Sequence, residues 1–167
     1  AAMEATIANT VEAGETVVVG VIGYFGKRLV DMCGRYGAKV VEVSAPWGEA
    51  LSLDTLTQAV EQHKPAVLAL VHAETSTGVQ QPLDGIGDLC RAHDCLLLLD
   101  TVTSLGGVPL KLDEAKVDLA YSCSQKGLSC PPGLGPFTMG PRAEEKLDRR
   151  NGKVPNWYLD MSGLKSY

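Results

Sequence analysis

A single lysine stands in SCSQKGLSCPPGLG, residues 122–135, among small residues, two adjacent prolines and glycines. A solvated lysine needs no such setting. A lysine that must bond a bound aldehyde does, because a partly desolvated site lowers its proton affinity and frees the nitrogen lone pair. Ser122, Ser124 and Gln125 supply hydrogen-bonding groups around Lys126, and Pro131-Pro132-Gly133 makes a stiff turn that could bring backbone close to a phosphate. Asp100 raises the complementary question. It follows four leucines, so it ends a buried strand and needs a partner there. One reading is a cap for the following turn. The other is a carboxylate held against a protonated ring nitrogen or a metal. Magnesium would want a second carboxylate, and Glu74 is the one acid at a comparable position.

Two further stretches bear on the choice. HAETSTGV, residues 72–79, offers Glu74, Thr75, Ser76 and Thr77 beyond a strand end, with Gly78 to turn the loop. A plain polar loop is its alternative reading. VGVIGYFGKR, residues 19–28, invites a dinucleotide reading, but its glycines fall at Gly20, Gly23 and Gly26, which is not the G-x-G-x-x-G spacing. No acidic residue closes the next strand either. Phe25 as a flat face for a flat ligand fits better, with a core aromatic at a helix start as the plainer alternative. An aspartate, a lysine, an aromatic ring and a hydroxyl on one edge suit pyridoxal phosphate, whose chemistry needs a lysine to carry it and an acid for its ring nitrogen.

The elements that would gather these residues follow from the apolar pattern. Runs at residues 16–21, 39–43, 66–72, 95–100 and 117–122 predict five strands, and 135–140 a sixth, antiparallel or at an edge. Helical patterns cover 3–11, 26–36, 52–62 with Ser52 as cap, 84–93, and a charged helix opened by Pro141. Strands apolar on both faces, separated by amphipathic helices, imply an α/β fold: three layers, α/β/α, with a mainly parallel sheet. Ligands of such sheets bind outside the carboxyl ends of the strands. That places residues 23–26, 72–78, 100–102 and 122–126 on one edge.

Bulk properties narrow the function. The 167 residues carry a formal net charge of −5, which disfavours a nucleic-acid partner. No apolar run approaches the roughly 18 residues of a membrane span. Five cysteines at no zinc spacing, with Cys90, His93 and Cys95 unaccompanied by a second cluster, read as reduced thiols. The chain starts without methionine, inside a helical pattern, and ends without a stop signal, so a piece of a longer protein is expected.

HAETSTGVQQPLDG (72–85), LLLLDTVTSLGGVPL (96–110) and YSCSQKGLSCPPG (121–133), in this order and separation, resemble the class V, fold type I aminotransferases, and most closely the alanine–glyoxylate and serine–glyoxylate branch. The resemblance implies that residues 1–140 are part of the large cofactor-binding domain and 141–167 a helix and linker toward a small carboxy-terminal domain. It implies pyridoxal 5′-phosphate bound as a Schiff base to Lys126, which then moves a proton between substrate Cα and the cofactor C4′. Asp100 would pair with the pyridine nitrogen. Phe25 would stack on the ring where relatives use tryptophan, and Val102 would pack on the other face. Thr75 would replace a serine hydroxyl, and Gln125 would approach the phosphate. The expected reaction is transamination from a small amino acid, alanine or serine, to glyoxylate or another 2-oxo acid. Cysteine desulfurases of this fold carry histidine before the lysine and an asparagine-rich segment in place of residues 72–76, so Gln125 and Glu74 favour transamination over carbon–sulfur cleavage. Relatives are homodimers, cytoplasmic in bacteria and peroxisomal or mitochondrial in animals. By the same resemblance, the glycine-rich phosphate loop lies upstream of Ala1 and the substrate-carboxylate arginine beyond Tyr167. A non-catalytic truncated form is the alternative for a chain lacking both.

Overall fold

The computed structural model describes residues 1–164. In chain order the elements are α1 (Ala2–Thr10), β1 (Thr16–Val21), α2 (Tyr24–Arg35), β2 (Lys39–Ser44), α3 (Leu53–His63) and β3 (Val67–Val71). A short hairpin follows, β4 (Ala73–Glu74) and β5 (Val79–Gln80), then α4 (Ile86–Ala92), β6 (Leu96–Asp100), β7 (Leu119–Tyr121), β8 (Phe137–Met139) and α5 (Pro141–Asp148). A 3-10 turn, Trp157–Leu159, follows α5. Six strands form one sheet in the order β2-β1-β3-β6-β7-β8. All neighbours run parallel except β8, which lies antiparallel to β7 at the edge. This is the three-layer α/β/α arrangement expected from the alternating pattern.

The strand sequences explain the layers. In β1, β3 and β6 successive side chains point to opposite faces, and both sets are apolar. Val17, Val19, Val67, Ala69, Leu96 and Leu98 pack with α1 and α2, joined by Ala143 of α5. Val18, Leu68, Leu70, Leu97 and Leu99 pack with Leu56 and Val60 of α3 and Ile86 and Cys90 of α4. Asp100 continues the first of these faces, two residues after Leu98. Because the sheet core is closely packed, Leu98→Ala should cost about 2–5 kcal/mol, read as a lower denaturant midpoint with an unchanged slope.

Helix limits depart from the sequence pattern where distant groups intervene. Ser52 caps α3 as expected, its Oγ accepting the Thr55 N–H at 3.1 Å. Helix α2, expected from residue 26, begins at Tyr24. Its first amides find acceptors on the hairpin: Tyr24 N–H donates to Ser76 Oγ at 2.9 Å and Phe25 N–H to Glu74 Oε2 at 3.0 Å. Strand β7 is shorter than the apolar run 117–122; Asp118 just before it bonds Leu97 O and Gly140 N through its backbone, while its carboxylate accepts from Leu97 N at 2.8 Å and Arg142 at 2.9 Å. The segment expected to run from 141 toward a further domain begins with α5, whose Leu147 packs on Ala8 of α1; its residues 165–167 lie outside the described residues. Among the described residues no helix is long and apolar enough to cross a membrane.

Candidate active site

Asp100 sits at the carboxyl end of β6, only 3% exposed. Such a carboxylate must be hydrogen-bonded. Its Oδ1 accepts the Val102 N–H at 2.8 Å, and its Oδ2 accepts the Tyr121 hydroxyl at 2.6 Å. Tyr121 reaches it because Asp100 and Tyr121 are register partners across β6 and β7. Burial raises the Asp100 pKa; the Tyr121 and Val102 donors pull it back, the Glu74 charge adds to the rise, and Arg28 opposes it. The Tyr121 hydroxyl is pushed well above its ordinary value by burial first, then by the adjacent Asp100 charge.

Lys126 lies on the loop joining β7 to β8. That loop is tied down at several points. Ser122 N–H donates to Pro136 O at 2.8 Å and Ser124 N–H to Leu134 O at 3.1 Å, so its two arms stay paired beyond the strands. Ser124 Oγ donates to Pro131 O at 2.7 Å, which explains a serine two residues before the lysine. Ser122 Oγ donates to Thr101 O at 3.0 Å, and Thr101 Oγ1 to Tyr121 O at 2.9 Å, stitching this loop to the turn after Asp100. Gly127 seals the junction: a Cβ there would lie 2.3 Å from Leu105 O, a backbone atom that cannot swing away. Lys126 and Gln125 remain exposed on the rim.

The third wall is the start of α2. Phe25 is half-buried, and the Arg28 guanidinium lies 4.9 Å from its ring centroid, within cation–π range. Glu74, 1% exposed, clamps this helix start: Oε2 accepts from Phe25 N and Gly26 N, and Oε1 accepts from Ser76 N and Ser76 Oγ. Gly23 permits the approach, since a Cβ there would fall 2.4 Å from Glu74 Cγ. Glu74 is thus a capping carboxylate for α2, occupied by backbone amides rather than offered as the second ligand of a magnesium ion. The start of α1 closes the fourth side, with Ala1, Ala2 and Met3 in the wall. The positive end of the helix dipole favours an anion there.

These walls enclose an open cavity of about 630 Å³. Five of the six residues singled out from the sequence line it: Phe25, Asp100, Val102, Gln125 and Lys126. Thr75 does not. It sits on the exposed turn between β4 and β5, beside the Glu74 clamp. A second cavity, about 590 Å³, holds none of the six and lies around His72, Gln81 and the loop carrying Lys111 and Lys116. Sequence reasoning missed Tyr121, Arg28, Glu74 as a clamp, and the start of α1. Arg28 carried a usable signal, one helical turn after Phe25; Tyr121 becomes visible only once the β6–β7 register is known.

Comparison with known proteins places the chain. Residues 1–153 match the family described as Aminotransferase class-V. The chain is 42% identical over 163 residues to the alanine–glyoxylate aminotransferase of Mus musculus, covering 98% of this chain and 39% of that protein. It is 34% identical over 185 residues to the (S)-ureidoglycine–glyoxylate transaminase of Bacillus subtilis (strain 168), covering 44% of that protein. The crystal structure of an alanine–glyoxylate aminotransferase from Nostoc sp. superposes with a TM-score of 0.97 at 67% identity, over 99% of this chain and 44% of that one. The chain therefore spans less than half the length of each. Members of the matched family generally depend on pyridoxal phosphate. The fold, the lysine and aspartate facing one cavity, and a family match over residues 1–153 agree: this chain belongs to the class-V aminotransferases.

Proposed function

We propose that the protein is a pyridoxal-phosphate-dependent aminotransferase that moves an amino group from alanine or serine to glyoxylate or another small 2-oxo acid. The observation that carries this reading is the single cavity that gathers Lys126, Asp100, Phe25 and Val102. The donor set fits the cofactor: a buried carboxylate for a ring N–H, an aromatic and an aliphatic wall for a flat ring, a rim lysine for an aldehyde, and a helix start for a phosphate dianion. When bound, pyridoxal phosphate supplies an electron sink that stabilises negative charge at the substrate Cα.

The chain's own residues do the rest. Lys126 Nζ would hold the cofactor through its aldehyde, and is the amine placed to take a proton from the substrate Cα and return it. Its loop, pinned through Ser122, Ser124 and Gly127, holds that nitrogen over the cavity. Asp100 would accept the ring N–H and so favour the protonated ring nitrogen. Phe25 and Val102, both in the cavity wall, would flank the ring, with Phe25 offering less stacking area than an indole. Gln125 and the start of α1 would receive the phosphate, while Thr75 stands on the exposed turn outside the cavity wall. A homodimer is the working form proposed, because aminotransferases of this family are commonly dimeric.

Stopped-flow absorbance of the cofactor-loaded protein, in its longest natural form, tests the reading. Alanine or serine should bleach the visible band within one turnover, and glyoxylate should restore it. Release of sulfide from cysteine, with no bleaching by alanine or serine, would assign carbon–sulfur cleavage instead.

A further inference from the structure

Tyr121 has a role that its position in a buried strand does not require. We propose that Tyr121 is the positioning residue for Asp100: its hydroxyl fixes the orientation, and favours the charge, with which the carboxylate accepts a ring N–H. The proposal rests on the cofactor reading above.

A carboxylate has two oxygens with about four acceptor sites and a broad, roughly two-fold terminal torsion. Left alone at the end of β6 it could rotate. Here each oxygen is held by a different element. Val102 N–H, two residues on, fixes Oδ1 at 2.8 Å, and Tyr121, from the neighbouring strand, fixes Oδ2 at 2.6 Å. The second distance lies in the range of hydrogen bonds to an ionised oxygen. Two donors on two oxygens set the carboxylate plane, and the remaining lone pairs are left for the cavity that both residues line.

Burial is the largest influence on the Asp100 charge and disfavours it; the Tyr121 hydroxyl, with the Val102 N–H, pulls the other way. Asp100 is 3% and Tyr121 2% exposed, so water contributes little. The other ionisable groups acting on the pair are Glu74 from β4 and Arg28 and Cys33 from α2. Glu74 opposes the Asp100 charge and is engaged with the α2 amides. Arg28 favours it, but from the exposed side of Phe25. The Cys33 thiol, pushed by burial up to about 12, stays neutral. Among the described residues no side chain other than Tyr121 hydrogen-bonds the carboxylate. Burial first, and then the adjacent Asp100 charge, push the Tyr121 hydroxyl well above its ordinary value, so it remains a hydrogen-bond donor to the carboxylate.

The test is Tyr121→Phe in the full protein, with two readouts. Without cofactor, the ¹³Cγ signal of Asp100 is titrated by NMR, and its midpoint should move up relative to wild type. With pyridoxal phosphate, the pH profile of the visible band should shift, and kcat should fall on the order of tenfold while KM for the amino donor stays within about twofold. Replacing Tyr121 by 4-aminophenylalanine, which keeps an N–H donor, should restore most of both signals, and it remains informative if the phenylalanine variant folds poorly. A wild type that binds the cofactor, beside a Tyr121→Phe protein with the same Asp100 midpoint and band profile, overturns the positioning role alone. A wild type that binds no pyridoxal phosphate overturns the function reading, and the NMR titration then decides the Tyr121–Asp100 link by itself.

Discussion

Lys126→Ala should leave the fold intact and remove the visible band that pyridoxal phosphate develops on the wild-type protein. The side chain is exposed on the cavity rim, so its truncation opens no core void. The loop's own ties run through Ser122, Ser124 and Gly127, none of which involves the lysine side chain. Melting temperature should therefore stay close to wild type. Turnover should not. The variant loses both the covalent anchor and the proton carrier, and the proton-transfer part alone is worth on the order of 10²–10⁴-fold. An exogenous amine such as methylamine should recover part of that loss, since it replaces the missing nitrogen without its tether. A variant that keeps both band and turnover would move the lysine's role elsewhere in the chain.

Asp100→Asn should cost on the order of 10²–10³-fold in kcat, the scale of removing one preorganised electrostatic partner from a reacting centre. The amide cannot hold a ring N–H as a carboxylate does, so the ring nitrogen loses its proton and the cofactor much of its pull on electrons. The same change should stabilise the cofactor-free protein at neutral pH. Burial raises the pKa of Asp100 above its unfolded value, so the folded chain holds that proton more tightly than the unfolded one. For a group shifted in this direction, the contribution to stability is complete below the unfolded pKa and is lost as pH rises through the raised folded pKa. At acid pH Asp100 is already neutral and the asparagine gains nothing. At neutral pH wild type carries a costly buried charge and the variant does not. Thermal melts of both proteins across pH should converge at the acid end and separate, with the variant higher, toward neutrality. Curves that stay parallel throughout would contradict the assignment.

The fold was largely legible because its central strands need no periodicity to be recognised. VLALV and LLLLD can be satisfied only where both faces are covered, and the amphipathic stretches between them supply the covers. The juxtaposition of Lys126 and Asp100 followed from the same logic, since both stand just past parallel strands and such strands end on one edge. What escaped depends on contacts between distant segments. The Glu74 carboxylate meets the Phe25 amide across 49 residues, and that contact starts α2 two residues before its apolar stripe does. Strands β4 and β5 have two residues each, too short for any pattern to mark. Their hairpin turns Thr75 outward while it buries Glu74, reversing the weight that hydroxyl and carboxylate carried in the linear reading. The bond from Tyr121 to Asp100 depends on strand register, which a three-residue β7 does not announce.

If the cavity holds pyridoxal phosphate through Lys126, borohydride reduction of the protein incubated with pyridoxal phosphate, followed by peptide mass spectrometry, will trap it there. One phosphopyridoxyl group per chain is expected, on the peptide containing Lys126, and none at Lys111 or Lys116 beside the second cavity. A label spread over surface lysines, or fixed at any lysine other than Lys126, would contradict that role for Lys126.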